Sequence, residues 1–182
     1  MKSSKNKIVY RRIAECEICR GLFANFNRRQ VVKRCLRRID GAWREADAPF
    51  IDDWSEEDYA FLVKCLRNTL QTGGAVFGAF ADGELKGFAS VESKPFGKNG
   101  AYRDLTALHV SEELRGKGIG TQLFLSAKAW AKAQGAEKLY ISSHSAAESQ
   151  AFYLAMGCCD ARERNEEHVR REPFDRQLEC SL

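Results

Sequence analysis

The tightest constraint on how this chain can fold lies between Leu105 and Phe124. There an apolar run, an acidic turn, a glycine-rich loop and a helical pattern follow one another without a break. Leu105, Ala107 and His109 alternate with Thr106, Leu108 and Val110, which predicts a strand buried on both faces. Ser111-Glu112-Glu113 ends it, and Arg115-Gly116-Lys117-Gly118-Ile119-Gly120 leads straight into a helix. A glycine loop at a helix start leaves several backbone N–H groups unpaired and aimed at one point, and the positive end of the helix dipole reinforces them. Such a junction is a ready diphosphate site. Spacing excludes two common phosphate loops. A Walker A loop needs Ser or Thr after Gly-Lys, but Gly118 follows Lys117. A G-x-G-x-x-G fingerprint begun at Gly116 needs glycine at 121, where Thr121 stands. What remains is R-x-x-G-x-G at a strand-to-helix junction.

A second motif follows some thirty residues on. Lys138 to Ser143 reads as a strand with Leu139 and Ile141 inward, and Ser145-Ala146-Ala147-Glu148 reads as a capping box with Ser145 at the N-cap. The helix after it contains Phe152-Tyr153-Leu154-Ala155-Met156-Gly157. In this order the two stretches resemble the GNAT superfamily of N-acetyltransferases. Arg115, Gly118 and Gly120 match that family's Q/R-x-x-G-x-G/A loop, and Phe152, Tyr153 and Gly157 match its aromatic-Tyr-x-x-x-Gly helix end. The resemblance spans residues 7–182 and is strongest from 104 to 157.

The resemblance implies an α/β fold: one domain with a mixed, mostly antiparallel central sheet flanked by helices, splayed between the strands at 104–110 and 138–143. It implies acetyl-CoA as co-substrate. The diphosphate would lie on Arg115, Gly116, Lys117, Gly118, Ile119, Gly120 and Thr121, and the pantetheine arm would pair with Leu108, His109 and Val110 like an added strand. Tyr153 would be the general acid for the leaving thiolate, since a phenol stays protonated near neutrality. The implied reaction is direct attack of a primary amine on the thioester in a ternary complex; the acceptor is left open, a cationic small molecule being one candidate beside an amino acid or a protein amine. The alternative is a non-catalytic acyl-CoA-binding or regulatory module on the same fold. One departure stands out: seven residues before the tyrosine the family often has Asn, and here it is Ala146.

An amine must lose a proton before it attacks, so a base is needed. Glu92, near a strand end, is the first candidate and Asp104, at a strand start, the alternative; His109 and His144 titrate in a useful range but less directly. The stretch Glu45 to Asp53 mixes acids with Phe50 and is flanked by Trp43 and Trp54. Such a loop suits a cationic amine through charge and cation–π contact.

The remaining chain fits a single domain over residues 7–182 with a short flexible N-terminus, residues 1–6. Lys7 to Ile13 predicts a strand and Ala14 onward a helix. Arg28 to Ile39 holds six basic residues, expected to be a solvated face balanced by neighbouring acids, with Asp40-Gly41 turning a hairpin. Ser55 should cap a helix reaching Gly73-Gly74, and Asp82-Gly83 should join two more strands. A net charge of +4 does not demand nucleic acid, and no apolar stretch has the ~20 residues of a membrane span. No nucleic-acid or membrane partner and a cytoplasmic location are therefore expected. The seven cysteines lack zinc-site spacing and read as buried free thiols, with no metal. A closing strand from Gln177 to Leu182 could pair across a homodimer.

Overall fold

The computed structural model describes residues 7–182; the expected flexible N-terminus, residues 1–6, lies outside the described residues. In chain order the elements are β1 (Val9–Arg12), β2 (Gln30–Val32), β3 (Cys35–Ile39), β4 (Ala42–Ala46), β5 (Phe50–Asp52), α1 (Glu56–Gln71), β6 (Ala75–Ala81), β7 (Glu84–Val91), β8 (Tyr102–Val110), α2 (Ile119–Ala133), β9 (Lys138–Ser143), α3 (Ala147–Ala155), β10 (Cys159–Asp160), α4 (Glu166–Arg171) and β11 (Arg176–Ser181). The central sheet runs β1-β6-β7-β8-β9-β11-β10, and every pairing is antiparallel except β8 with β9.

The one parallel pairing creates the functional opening. It holds for only three steps, Tyr102↔Lys138, Arg103↔Leu139 and Asp104↔Tyr140. Beyond Asp104, β8 stays bonded to β7 while β9 stays bonded to β11, so the two strands part and the splay expected at 104–110 and 138–143 is present.

Apolar packing holds the sheet from both faces. Leu123, Phe124, Ala127 and Ala131 of α2 are buried against Ala79, Ala89, Leu105, Leu139 and Ile141. Tyr59 and Leu66 of α1 pack with Ile13, Phe23, Phe26, Val76 and Phe88 on the other face. Helix α1 starts where Ser55 predicts: the Asp58 N–H donates to Ser55 Oγ at 3.2 Å, and the Ser55 N–H donates to the Asp58 carboxylate at 2.8 Å. The β3–β4 and β6–β7 hairpins turn at Asp40-Gly41 and Asp82-Gly83, all four with positive φ, the geometry for which Asp-Gly is favoured.

Three expectations need correction. The helix after Ala14 is two separate 3₁₀ turns, Glu15–Glu17 and Arg20–Phe23, with Ile18 extended between them. Ile18 and Phe23 would lie about 140° apart on one helix; the break lets both, and Phe26, enter the same core. Cys35, Cys158 and Cys180 are buried, but Cys16, Cys19, Cys65 and Cys159 are exposed. Finally, β11 is interior, flanked by β9 and β10, so the homodimer expectation loses its free strand edge.

The basic run meets the expectation only in part: Arg29 pairs with Glu112 and Arg34 with Glu45 at the surface, but Arg28, paired with Asp52, is buried and not solvated.

Candidate active site

A cleft of about 970 Å³ fills the gap between β8 and β9. One wall is Leu105 to Val110 with the glycine loop and the first turn of α2; Phe152 and Tyr153 of α3 close it below, and Ser142, His144, Glu172 and Asp175 face it. Gly116 (φ 72°) and Gly118 (φ 81°) are left-handed, with nothing within 4 Å of where a Cβ would sit. The loop therefore keeps an open floor over which backbone can approach a ligand. Gly118 is the N-cap of α2, so the N–H groups of its first turn have no intrahelical partner, and the residues that carry them line the cleft.

Of the residues expected to hold the co-substrate, Leu108, His109, Val110, Arg115, Gly116, Gly118, Ile119, Gly120 and Thr121 line the cleft; Lys117 does not, its Nζ donating to the Glu113 carbonyl at 3.1 Å instead. Arg115 is a clasp: its Nε donates to the Val110 carbonyl at 3.0 Å and its Nη2 to the Arg28 carbonyl at 3.1 Å. It ties the end of β8 to the chain entering β2.

Tyr153 lies at the cleft base against Phe124 and Phe152, ring centroids 6.0 and 5.2 Å away. Burial pushes its phenol pKa well up, and the neighbouring Cys158 and Asp175 push it further. It is a protonated donor throughout the working range of pH.

Both expected bases fall outside the cleft. Asp104 lies at the closed, paired end of β8, where its Oδ2 is 2.5 Å from His168 Nε2. Glu92 turns toward α1: its Oε1 accepts from Thr69 Oγ1 at 2.5 Å. Neither side chain lines the opening, because strand position alone does not say where the sheet parts.

Both remaining histidine candidates do line it. His109 packs against Trp54 and Phe88 at 4.9 and 5.3 Å, and burial, aided by Arg28, Arg115 and His144, holds its pKa well below the usual value. His144 is also lowered by burial first, and its Nδ1 accepts the Ala146 N–H at 3.2 Å, leaving the ring proton on Nε2 as a donor.

The inserted β3–β4 hairpin completes the opposite rim. The Leu36 N–H donates to the Ser145 carbonyl at 2.8 Å and the Ala147 N–H to the Arg34 carbonyl at 3.0 Å. The start of α3 is thus capped by backbone from a distant hairpin. The expected Ser145 cap is not made; α3 begins one residue later, with Ala146 at the N-cap and no side-chain bond. Ala146 is fully buried against Val32 and Cys35, so the larger amide usual in the family would not fit there.

Two acids of the acidic segment are neutralised by the basic run. Glu45 pairs with Arg34 at 2.7 Å, and Asp52 pairs with Arg28, whose guanidinium lies 5.1 Å from the Trp54 ring centroid. The acids facing the cleft without such a cation are Glu148, at the start of α3, and Glu172 and Asp175, the last two of which the sequence reading missed. The available signal was Glu172-Pro173-Phe174-Asp175, a proline-led turn before the last strand; the Asp175 N–H donates to the Glu172 carbonyl at 3.1 Å. Among the described residues no His/Cys/Asp/Glu cluster could hold a metal, and no helix is long and apolar enough to cross a membrane.

Comparison with known proteins agrees with this geometry. Nourseothricin acetyltransferase superimposes with a TM-score of 0.66 at 17% identity, covering 96% of this chain and 97% of its own. A Bacillus anthracis protein named as a streptothricin acetyltransferase, in complex with acetyl coenzyme A, gives 0.70 at 12% identity over 97% and 99%. The PaiA N-acetyltransferase of Thermoplasma acidophilum, in complex with coenzyme A, gives 0.59 at 16% over 97% and 99%. These likenesses are of fold. No curated protein matches in sequence. The profile of the Acetyltransferase (GNAT) family matches residues 39–158, from the β3–β4 hairpin through the tyrosine helix, and the chain belongs to that family.

Proposed function

We propose that this protein is an acetyl-CoA-dependent N-acetyltransferase acting on a primary amine by direct attack. The observation that carries this reading is the splay of β8 from β9, with the glycine loop at one end of the gap and Tyr153 at its base. The open left-handed glycines and the free N–H groups of α2 fit a diphosphate, and the unpaired edge of β8 at Leu108 to Val110 fits an extended amide-bearing arm. When bound, acetyl-CoA supplies an activated thioester. Tyr153 then holds a proton for the departing sulfur, the neutral histidines avoid repelling a cationic acceptor, and Glu172 and Asp175 attract one.

The test is free-thiol release from acetyl-CoA across spermidine, lysine, a lysine-containing peptide, streptothricin and an aminoglycoside. Release that depends on the added amine is expected. Tight binding of acetyl-CoA without release from any of them favours the non-catalytic module.

A further inference from the structure

Asp175 occupies a place in the cleft that capping and fold stability do not explain. The turn Glu172–Asp175 delivers it just ahead of β11, whose first residue pairs with Ser143 of β9. Its carboxylate therefore sits over the parted end of β9, where its Oδ2 accepts from Ser142 Oγ at 3.2 Å. It faces the same cavity as Tyr153, close enough for its charge to be felt by the phenol. Around it lie Glu172 and His168 from the α4 segment, Arg37 from β3, Ser142 from β9 and Tyr153 from α3. No cation pairs directly with it among the described residues; the nearby carboxylate is Glu172.

We infer that Asp175 is the general base, taking a proton from the acceptor ammonium while Tyr153, across the cleft, supplies one to the leaving sulfur. This rests on the acetyltransferase reading above. The ammonium gives one proton to the Asp175 carboxylate. The neutral nitrogen then forms its bond to the acetyl carbon, the C–S bond breaks, and the sulfur takes the Tyr153 proton. The second nitrogen proton restores the phenol, and Asp175 returns its own to water. The sum is ammonium plus thioester giving amide, free thiol and one proton.

The carboxyl is suited to the task. Burial raises its pKa to about 6, Glu172 adds to the rise, and Ser142, His168 and Arg37 oppose it. A base poised just below neutrality is ionised at working pH yet still basic enough to accept a proton. Asp175 and Tyr153 are thereby pushed apart, the carboxyl kept near neutrality and the phenol held high, which divides base from acid.

The deciding experiment is the pH profile of kcat and kcat/KM for wild type, Asp175→Asn, Asp175→Glu and Glu172→Gln, using spermidine or whichever panel amine gives the highest wild-type rate. Wild type should show an acidic limb centred near pH 6. Asp175→Asn should lower kcat about a hundredfold and abolish that limb, while calorimetry shows acetyl-CoA bound as in wild type. Asp175→Glu should restore part of the rate together with the limb. Glu172→Gln removes a like charge, so its limb should move to lower pH. An Asp175→Asn enzyme that raises only KM, keeping kcat and the limb, makes Asp175 a substrate anchor and overturns the assignment. Isotope-edited carboxyl NMR gives a second readout, and an Asp175 titrating near 4 overturns it too. Amine-dependent release with an unchanged profile in Asp175→Asn sinks this role alone; no release from wild type with any amine sinks the acetyltransferase reading and this role with it.

Discussion

The wall of the cleft proposed to hold the donor comes from one uninterrupted stretch, residues 105–121, whereas the wall facing it gathers Arg28, Asp52, His144, Glu172 and Asp175 from four separate parts of the chain. The donor wall needs only local devices: a strand, two left-handed glycines and a helix start. The facing wall is assembled by long-range contacts, among them the Arg28–Asp52 pair, the β3–β4 hairpin on the start of α3, and the insertion of β11 between β9 and β10. A wall made locally can persist while its opposite is rebuilt.

If the walls are separable, damage to one should leave the other's ligand untouched. Arg28→Met should have the largest effect. It removes the partner of Asp52 and the cation over Trp54, leaving a largely desolvated carboxylate alone, at a cost of about 3 kcal/mol. Urea unfolding measures this loss, and the comparison breaks if acetyl-CoA affinity falls in proportion to any rise in acceptor KM. Next is Tyr153→Phe, expected to lower kcat on the order of a hundredfold with acetyl-CoA dissociation changed less than twofold. An unchanged kcat at saturating acetyl-CoA would remove Tyr153 from the reaction.

Gly118→Val tests the donor wall by itself. A β-branched side chain at φ 81° costs about 1–2 kcal/mol, which should weaken acetyl-CoA roughly tenfold and leave the Asp175 titration in place. The smallest effect concerns the His168–Asp104 pair, which anchors α4 beneath the turn carrying Asp175. The Asp104 carboxylate raises the His168 pKa above its ordinary value. The pair's stabilisation is therefore complete below about pH 6.5, the unfolded-state value, and fades as pH rises through the higher folded-state value. Wild type should exceed His168→Gln by about 1 kcal/mol at pH 6, with the gap closing by pH 9 in urea titrations. A gap that widens with pH would reverse the sign.

How much could be read in advance follows the same division. The hairpin turns, the Ser55 cap, the glycine loop and the strand-to-helix order around Tyr153 were legible because each rests on φ preference, hydrogen-bond geometry or apolar period within a few residues. The helix after Ala14 was misread because Ile18 and Phe23 could be buried together only by breaking it. The Ser145 cap was misread because backbone from residues 34 and 36 reached the α3 start first. Glu92 and Asp104 were the natural carboxylates to name from strand ends. Only the register shows that the sheet stays closed beside Asp104 and that Glu92 turns toward Thr69.

The sequence by itself determined the glycine-loop wall proposed to hold the donor, since positive φ at Gly116 and Gly118 and unpaired N–H groups at a helix start are properties of contiguous residues. The tertiary structure alone decided that Asp175 shares the cleft with Tyr153. Asp175 lies 22 residues beyond it and reaches the cleft only because β11 pairs with β9 in the register Arg176↔Ser143. No local preference encodes that register; it is selected when Leu178 and Cys180 bury themselves in the shared core.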